Sequence, residues 1–299
     1  MNTFLLVLWN ILEEGLIYGV MAMGVYISYH VLSFPDLTVD GSFPLGGCVT
    51  AVLIIAGVHP VVALVIAFAC GCLAGFVTGL LHVKLGVTDL LSGILVMTAL
   101  WSINLVIAGG RAVLPFYNQA TIFSGTLLQK LPPTLYSRRV LIVLMLLVVM
   151  TKLGLDWFFK TKSGLLLRAT GDNPQFTSAL AINPGSMKIL GLMLGNGLTA
   201  LSGSVLAQQA GSANVASGTG MVVMGLASVI IGLNLFGWLR VLKGTGMAVL
   251  GAIVYKACLA IAMQLGLPAN YLKLLMSVLF VAALMAGKAM KARRNNYAQ

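Results

Sequence analysis

The sequence predicts an all-α, polytopic transmembrane helical bundle that forms one domain over residues 1–299, and three observations support this fold class. Hydrophobic residues make up 59% of the chain and charged residues only 8%, and the mean hydropathy is +1.01. A soluble domain carries about 25% charged residues, so lipid must solvate much of this surface. Apolar stretches of about 20 residues, the length that crosses a bilayer as a helix, recur along the chain.

Eight stretches are predicted to cross the membrane: Gly15–Leu32, Val61–Val83, Leu90–Ala108, Val140–Phe159, Ile189–Ala210, Met221–Trp238, Thr245–Leu265 and Tyr271–Ala286. Pro35 and Gly41 interrupt the segment between the first two, Ser33–His59, which is therefore predicted to be a broken or re-entrant helix. If this segment crosses, the chain has about eight to nine spans and its N-terminus lies outside. If it dips in and returns, the N-terminus lies inside, and the break in the backbone favours this arrangement.

Basic residues orient the bundle. Lysine and arginine gather in cytoplasmic loops of membrane proteins, and 12 of them fall in one set of loops against five in the other. The larger set predicts a cytosolic loop over 163–188 and a cytosolic C-terminus in a multi-pass protein of the bacterial inner membrane. The loop 109–137, with Pro115, Pro132 and Pro133, is predicted to be external and non-helical. The net charge of +11 is explained in this way, and no basic stripe with interleaved aromatic residues indicates nucleic-acid binding.

Small and polar residues within the spans predict helix contacts. Gly71, Gly75 and Gly79 recur every four residues, so they share one helix face that another backbone can approach closely. Lone polar side chains are predicted to form hydrogen bonds between helices: His30, Asn104, Asn196 and Asn234.

The most informative polar segment is Ser163–Lys188. Asp172 or Asn173 can cap a helix there, and Pro174 suits a first helical turn. A short helix is predicted over Gln175–Ala181, with an apolar face that includes Phe176, Leu180 and Ile182, and Asn183-Pro184-Gly185 is predicted to end it. A short, capped helix with an exposed aromatic side chain indicates a docking site for another protein.

Two motifs carry a resemblance to a known family: Arg168-Ala169-x-Gly171-Asp172-Asn173-Pro174, continued by Ala179-Leu180-x-Ile182-Asn183 and Lys188, and the segment Phe34–Gly41. The first resembles the coupling loop, and the second the broken-helix motif, of ABC importer permeases of the branched-chain amino acid and ribose class. The subgroup of tryptophan or tyrosine transport permeases is similar at Tyr255-Lys256 and at Gly266-Leu-Pro-x-Asn270.

The resemblance implies a permease subunit that pairs with a second permease copy, docks a cytosolic ABC ATPase dimer and receives a small solute from an extracytoplasmic binding protein. An aromatic or branched-chain amino acid is the implied solute. The residues assigned to ATPase coupling are Arg168, Gly171, Asp172, Asn173, Pro174, Phe176, Leu180 and Ile182.

ATP and Mg²⁺ are expected on the partner ATPase. The chain has no Gly-x-x-x-x-Gly-Lys-Ser/Thr motif, because Gly287-Lys288 is followed by Ala289. We therefore expect this chain to bind no cofactor and no metal and to have no catalytic residue.

Charges at membrane depth are costly and usually functional, so they indicate a translocation pathway. The residues predicted to line or gate it are Asp36, Asp40, Ser42, Asn104, Tyr255 and Lys256. Lys256 is expected to meet a carboxylate of the substrate or of the protein, or to contact a water-filled cleft. Asp36 and Asp40 are expected to cap a half-helix rather than contact substrate. Glu13-Glu14 is expected to mark the start of the first helix at the membrane surface.

The alternative function classes are a secondary transporter or channel and an intramembrane enzyme. A secondary transporter or channel would need no ATPase, yet ion-coupled forms usually place carboxylates within their spans, and Asp156 lies near a span end. An intramembrane enzyme would need a motif such as His-Glu-x-x-His or Gly-x-Ser-x-Gly, and neither occurs.

Overall fold

The computed structural model of the protein describes residues 3–124, 138–179, 183–239, 242–266, 268 and 271–296. Its α-helices are α1 Thr3–Val25, α2 Val39–Ile55, α3 Pro60–Val83, α4 Asp89–Ile107, α5 Arg139–Phe158, α6 Lys162–Asp172, α7 Pro174–Ala179, α8 Pro184–Ala210, α9 Met221–Phe236, α10 Gly244–Gln264 and α11 Leu272–Asn296. Two short strands, β1 Val113–Pro115 and β2 Ser212–Asn214, complete the regular structure of the described residues together with a π-helical turn at Tyr26–Val31 and a 3₁₀ turn at Val215–Gly218.

The predicted fold class is confirmed. Seven segments of the described residues are long and apolar enough to cross a membrane, and α2 and the first part of α11 are shorter apolar helices. The eight predicted spans correspond to α1, α3, α4, α5, α8, α9, α10 and α11, and the interrupted segment contains α2. Two helices begin earlier than predicted: α1 begins at Thr3, and α8 begins at Pro184.

The helices end at two opposite faces of the bundle. Strands β1 and β2 pair antiparallel, with Val113 opposite Asn214, and so join the end of α4 to the end of α8. We call this end the strand face. The opposite end carries α6 and α7 and is called the α6–α7 face. The described part of the predicted external loop, 109–124, is non-helical as expected, and the remainder lies outside the described residues.

Helix α1 begins at the strand face. It packs antiparallel to α10, with Gly15 against Ile253 and Gly19 against Val249. At the start of this contact, Gln209 near the end of α8 donates a hydrogen bond to Glu13 at 3.1 Å. The N-terminal end of α1 therefore lies at the face opposite α6 and α7.

The segment Ser33–His59 crosses the bundle. Helix α2 runs parallel to α8, because Ser42 bonds Asn196, Gly46 packs against Ala200 and Thr50 bonds Ser204. The predicted break is confirmed, whereas the favoured return to the same face does not occur. The 17 residues of α2 rise about 25 Å, and the extended residues before it supply the remaining depth of the roughly 30 Å core.

The predicted glycine face of α3 is confirmed. Gly71, Gly75 and Gly79 lie against α8, opposite Asn196, Leu192 and Ile189 respectively. A Cβ atom on Gly75 would overlap the carbonyl oxygen of Leu192, so the two backbones are in direct contact. Such close packing replaces the hydrophobic driving force that lipid removes.

Candidate functional site

The joint between α1 and α2 is an irregular stretch of backbone. Helix α1 passes into the π-helical turn Tyr26–Val31, and the amide of Leu32 bonds the carbonyl of Ile27 at 3.0 Å. Ser33 then adopts a φ of 54°, in the left-handed region that few non-glycine residues occupy. This residue turns the chain into the extended run that leads to α2.

Asp36 organises the polar interior next to this joint. One carboxylate oxygen accepts a hydrogen bond from the amide N–H of Thr38, the residue just before α2, at 2.8 Å. The other oxygen accepts a hydrogen bond from Asn196 Nδ2 at 2.6 Å. Asn196 in turn accepts the hydroxyl of Ser42 at 2.7 Å. Asp36 is only 5% exposed, so this network is sealed inside the bundle and ties α2 to α8. It also contains an interhelical bond predicted for Asn196.

Asp40 lies in the first turn of α2, but its carboxylate serves a different helix. It accepts the amide N–H of Gly220 at 3.1 Å and that of Val222 at 2.8 Å, at the start of α9. Helix N-termini leave unpaired N–H groups and carry positive partial charge, so a carboxylate stabilises them. The capping role predicted for Asp40 is present, although the helix that it caps was not foreseen.

We expect Asp40→Ala to lower stability, because two partly buried amide groups, those of Gly220 and Val222, lose their carboxylate partner, at about 1–3 kcal/mol each. The midpoint of thermal unfolding should fall by at least about 5 °C, followed with a thiol-reactive dye that labels the buried Cys48 as it becomes exposed. Asp89→Ala, which removes a partly buried carboxylate from the first turn of α4, is the matched control. Equal midpoints for the two variants would show that the Asp40 cap contributes no more than an ordinary carboxylate in a first helical turn.

Three other residues predicted to line the pathway are buried in the bundle: Ser42, Asn104 and Tyr255. Asn104 donates to the carbonyl of Gly41 at 3.0 Å, as expected of an interhelical bond, while its Oδ1 has no partner there. Tyr255 is 0% exposed, and its hydroxyl has no partner in the described part of the chain either. These side chains therefore lie inside the bundle.

Lys256 differs, because it borders a cavity. Its ammonium group lies 2.6 Å from the carboxylate of Glu14 and 4.3 Å from the ring centroid of Tyr18. The expected carboxylate partner thus belongs to the protein itself.

The expectation that Glu13-Glu14 marks the start of the helix is wrong, because α1 begins at Thr3 and holds both residues well within it. The largely apolar run Phe4–Leu12 contains no charged side chain and is continuous with the predicted span, and it forms the earlier part of the helix.

Helices α6 and α7 meet at a sharp break. Asn173 has an extended backbone, and its side chain accepts the amide N–H of Gln175 at 3.0 Å, so it caps α7, whose first residue is Pro174. The predicted cap is therefore present.

Helix α6 was not predicted. Asn183, expected to end a helix, instead caps α8 by accepting a hydrogen bond from the amide N–H of Gly185 at 2.8 Å. Leu180 and Ile182 lie outside the described residues, as does the side chain of Phe176.

Helix α6 packs on the joint between α1 and α2. A Cβ atom on Gly171 would overlap the carbonyl oxygen of Val31, so the two backbones touch. Leu167 is fully buried, and it meets Leu32 beside Gly191 of α8. The Arg168 guanidinium lies 4.5 Å from the ring centroid of Phe159.

Of the predicted coupling residues, Gly171 and Arg168 thus anchor α6 to the bundle, while Asp172, Asn173 and Pro174 are exposed.

The chain is similar to known transport proteins over most of its length. Residues 7–285 match the family described as the permease component of branched-chain amino acid transport systems. A tyrosine transport system permease protein of Clostridioides difficile (strain R20291) is 41% identical, over 93% of this chain and 90% of that one. An uncharacterized protein of Rickettsia prowazekii (strain Madrid E) is 31% identical over 94% and 98%.

A more distant relative is the ribose import permease protein RbsC of Escherichia coli (strain K12), which is 26% identical over 75% of this chain and 68% of its own. The family match spans the helical bundle, the polar joint and the α6–α7 face described above. The chain therefore belongs to the family of branched-chain amino acid transport system permease components, and it is a multi-pass membrane permease.

Proposed function

We propose that this permease is the membrane subunit of an ATP-driven importer, and that α6 and α7 dock a cytosolic ABC ATPase. Basic side chains surround that face in the described residues, at Lys84, Lys152, Lys160, Lys162, Arg168, Lys188 and Lys243. By the positive-inside rule they support a cytosolic α6–α7 face in a bacterial inner membrane. The strand face is then extracytoplasmic, and the C-terminus is cytosolic.

One contact carries this proposal: the backbone of Gly171, at the end of α6, touches the backbone of Val31 at the joint. A force applied to α6 and α7 by an ATPase would therefore reach the left-handed turn at Ser33 and the Asp36 network that begins α2. Two rigid elements in direct backbone contact transmit displacement, whereas long exposed side chains would absorb it. ATP and Mg²⁺ would bind the ATPase, and the permease would change shape in response.

We propose an amino acid with an aromatic or branched-chain side chain as the cargo. The description of the matched family and the name of the Clostridioides difficile relative both support this class. An extracytoplasmic binding protein would deliver the cargo to the strand face, and a second copy of this chain would complete the translocation unit.

Co-purification tests the proposal. The permease, expressed with candidate ABC ATPases of its own organism, is expected to capture one of them. In proteoliposomes supplied with the cognate binding protein, the complex is expected to support ATP-dependent uptake of labelled amino acid. The double variant Asp172→Arg, Phe176→Ala should reduce both capture and uptake at least tenfold. Gln119→Ala, exposed on the strand face, should leave ATPase capture unchanged. Uptake that proceeds without any ATPase would instead identify a secondary transporter.

A further inference from the structure

A cavity of about 320 Å³ opens between α1, α10 and α11 in the half of the bundle nearest the strand face. That volume lies at the lower end of small-ligand pockets, which run from about 300 to 1,000 Å³. Apolar side chains form most of its wall, and an ion pair lies within it. The wall includes Glu14, Lys256, Leu259, Met263, Leu272 and Met276.

The ion pair lies close to the strand face, because the neighbouring Glu13 accepts a hydrogen bond from Gln209, one residue before the end of α8. Lys256 precedes Gln264, the last residue of α10, by eight positions, or about 12 Å along the helix axis. The Glu14 side chain is nevertheless 48% exposed, whereas that of Lys256 is 15% exposed. The Glu14 carboxylate is therefore open to the cavity, where water or a polar ligand can reach it.

The charges are complementary to one chemical class. Lys256 and Glu14 are paired with each other. A zwitterion can replace that pairing without leaving either charge unmatched, because its carboxylate can bond the ammonium of Lys256 and its ammonium group can bond Glu14. A simple anion would be repelled by Glu14, and a simple cation would be repelled by Lys256. The amides of Asn10 and Gln264 supply further donors and acceptors at the wall.

We propose that this cavity is a binding site for a zwitterionic α-amino acid with an apolar or aromatic side chain. The backbone charges of the ligand insert between Glu14 and Lys256, and its side chain packs against Leu259, Met263 and Met276. The ring of Tyr18, 4.3 Å from the Lys256 ammonium, holds that group in place. This site deepens the proposed function, on which it rests for the class of cargo, and it places the first contact with cargo on the strand-face side.

Direct binding to the purified full-length permease, without ATPase, tests the site by calorimetry. L-Tyrosine is expected to bind. Tyramine lacks the carboxylate and 3-(4-hydroxyphenyl)propionate lacks the ammonium group, so each should bind at least tenfold more weakly. If either analogue binds as tightly as L-tyrosine, the zwitterion site is wrong.

Variants locate the binding. Lys256→Gln and Glu14→Gln should each weaken L-tyrosine binding at least tenfold. Met263→Trp should do the same by filling the cavity while leaving the ion pair intact, so it keeps the test valid if the charge variants misfold. Lys152→Gln, which removes one partner of Asp156 near the α6–α7 face, should bind like the wild type. Unchanged binding in both Met263→Trp and Lys256→Gln would overturn the assignment.

The importer function and the amino-acid site in the cavity can be refuted independently of each other. Capture of an ATPase with ATP-dependent uptake, but with tyramine and L-tyrosine bound equally well, would refute the cavity and leave the importer function standing. Selective binding of the zwitterion by a permease that captures no ATPase would refute the importer function and support the cavity.

Discussion

Gly171→Val is expected to abolish ATP-dependent uptake while the protein still folds. A side chain at this position would overlap the carbonyl oxygen of Val31, so α6 must move away from the joint. Because α6 lies at one face and contributes little to the packing of the spans, the bundle should persist without that contact. Uptake in proteoliposomes should fall at least tenfold, while ATPase capture stays within about twofold, since the exposed α7 surface is unchanged.

Gly154→Val is the matched control for this experiment. The same substitution is made within a helix, but a Cβ atom on Gly154 meets no atom within 4 Å. Both variants carry the same cost of placing valine in a helix, so that cost cancels in the comparison. Full uptake by Gly171→Val would mean that the contact between α6 and the joint transmits nothing.

Gly75→Val is expected to prevent accumulation of folded protein. The added Cβ would overlap the backbone of Leu192, and neither helix can yield without separating along the whole contact between α3 and α8. Ordinary overpacking costs about 1–3 kcal/mol, and here the obstruction is backbone rather than a side chain that can rotate. The yield of monodisperse protein in fluorescence-detected size-exclusion chromatography should fall at least fivefold.

Gly75→Ala should lie between the wild type and the valine variant, because its single methyl already meets the obstruction. Gly154→Val again serves as the control and should give a wild-type yield. A normal elution profile for Gly75→Val would show that α3 and α8 are held together by other contacts than the glycine face.

The features that the sequence predicted well are encoded locally. Asn173 and Pro174 adjoin each other, and a cap with a proline in the first turn is readable from a few residues. The glycine run of α3 is likewise a periodicity within a single helix. Composition and the spacing of apolar runs were sufficient for the fold class, because a bilayer imposes one length on every span.

The features that the sequence did not predict depend on distant partners. Asp40 caps α9 through residues 180 and 182 positions further along the chain. Nothing near Asp40 distinguishes it from an ordinary turn aspartate. The partner of Lys256, Glu14, is 242 positions away. The crossing of α2 was missed because its helical part is short, and the extended residues that complete it resemble a turn.

Helix α2 also has a consequence for how the protein is made. Its Asp36 network is completed by Asn196, 160 residues later, and Asp40 by the start of α9. While the ribosome is still producing the residues between, Asp36 lacks Asn196 and Asp40 lacks the amides of α9, and hydrocarbon would not accept their unpaired carboxylate oxygens. The segment must therefore wait in the translocon or at the membrane surface until α8 and α9 emerge. Insertion of this permease is then a late, concerted step, and truncation before Asn196 would leave α2 outside the bilayer.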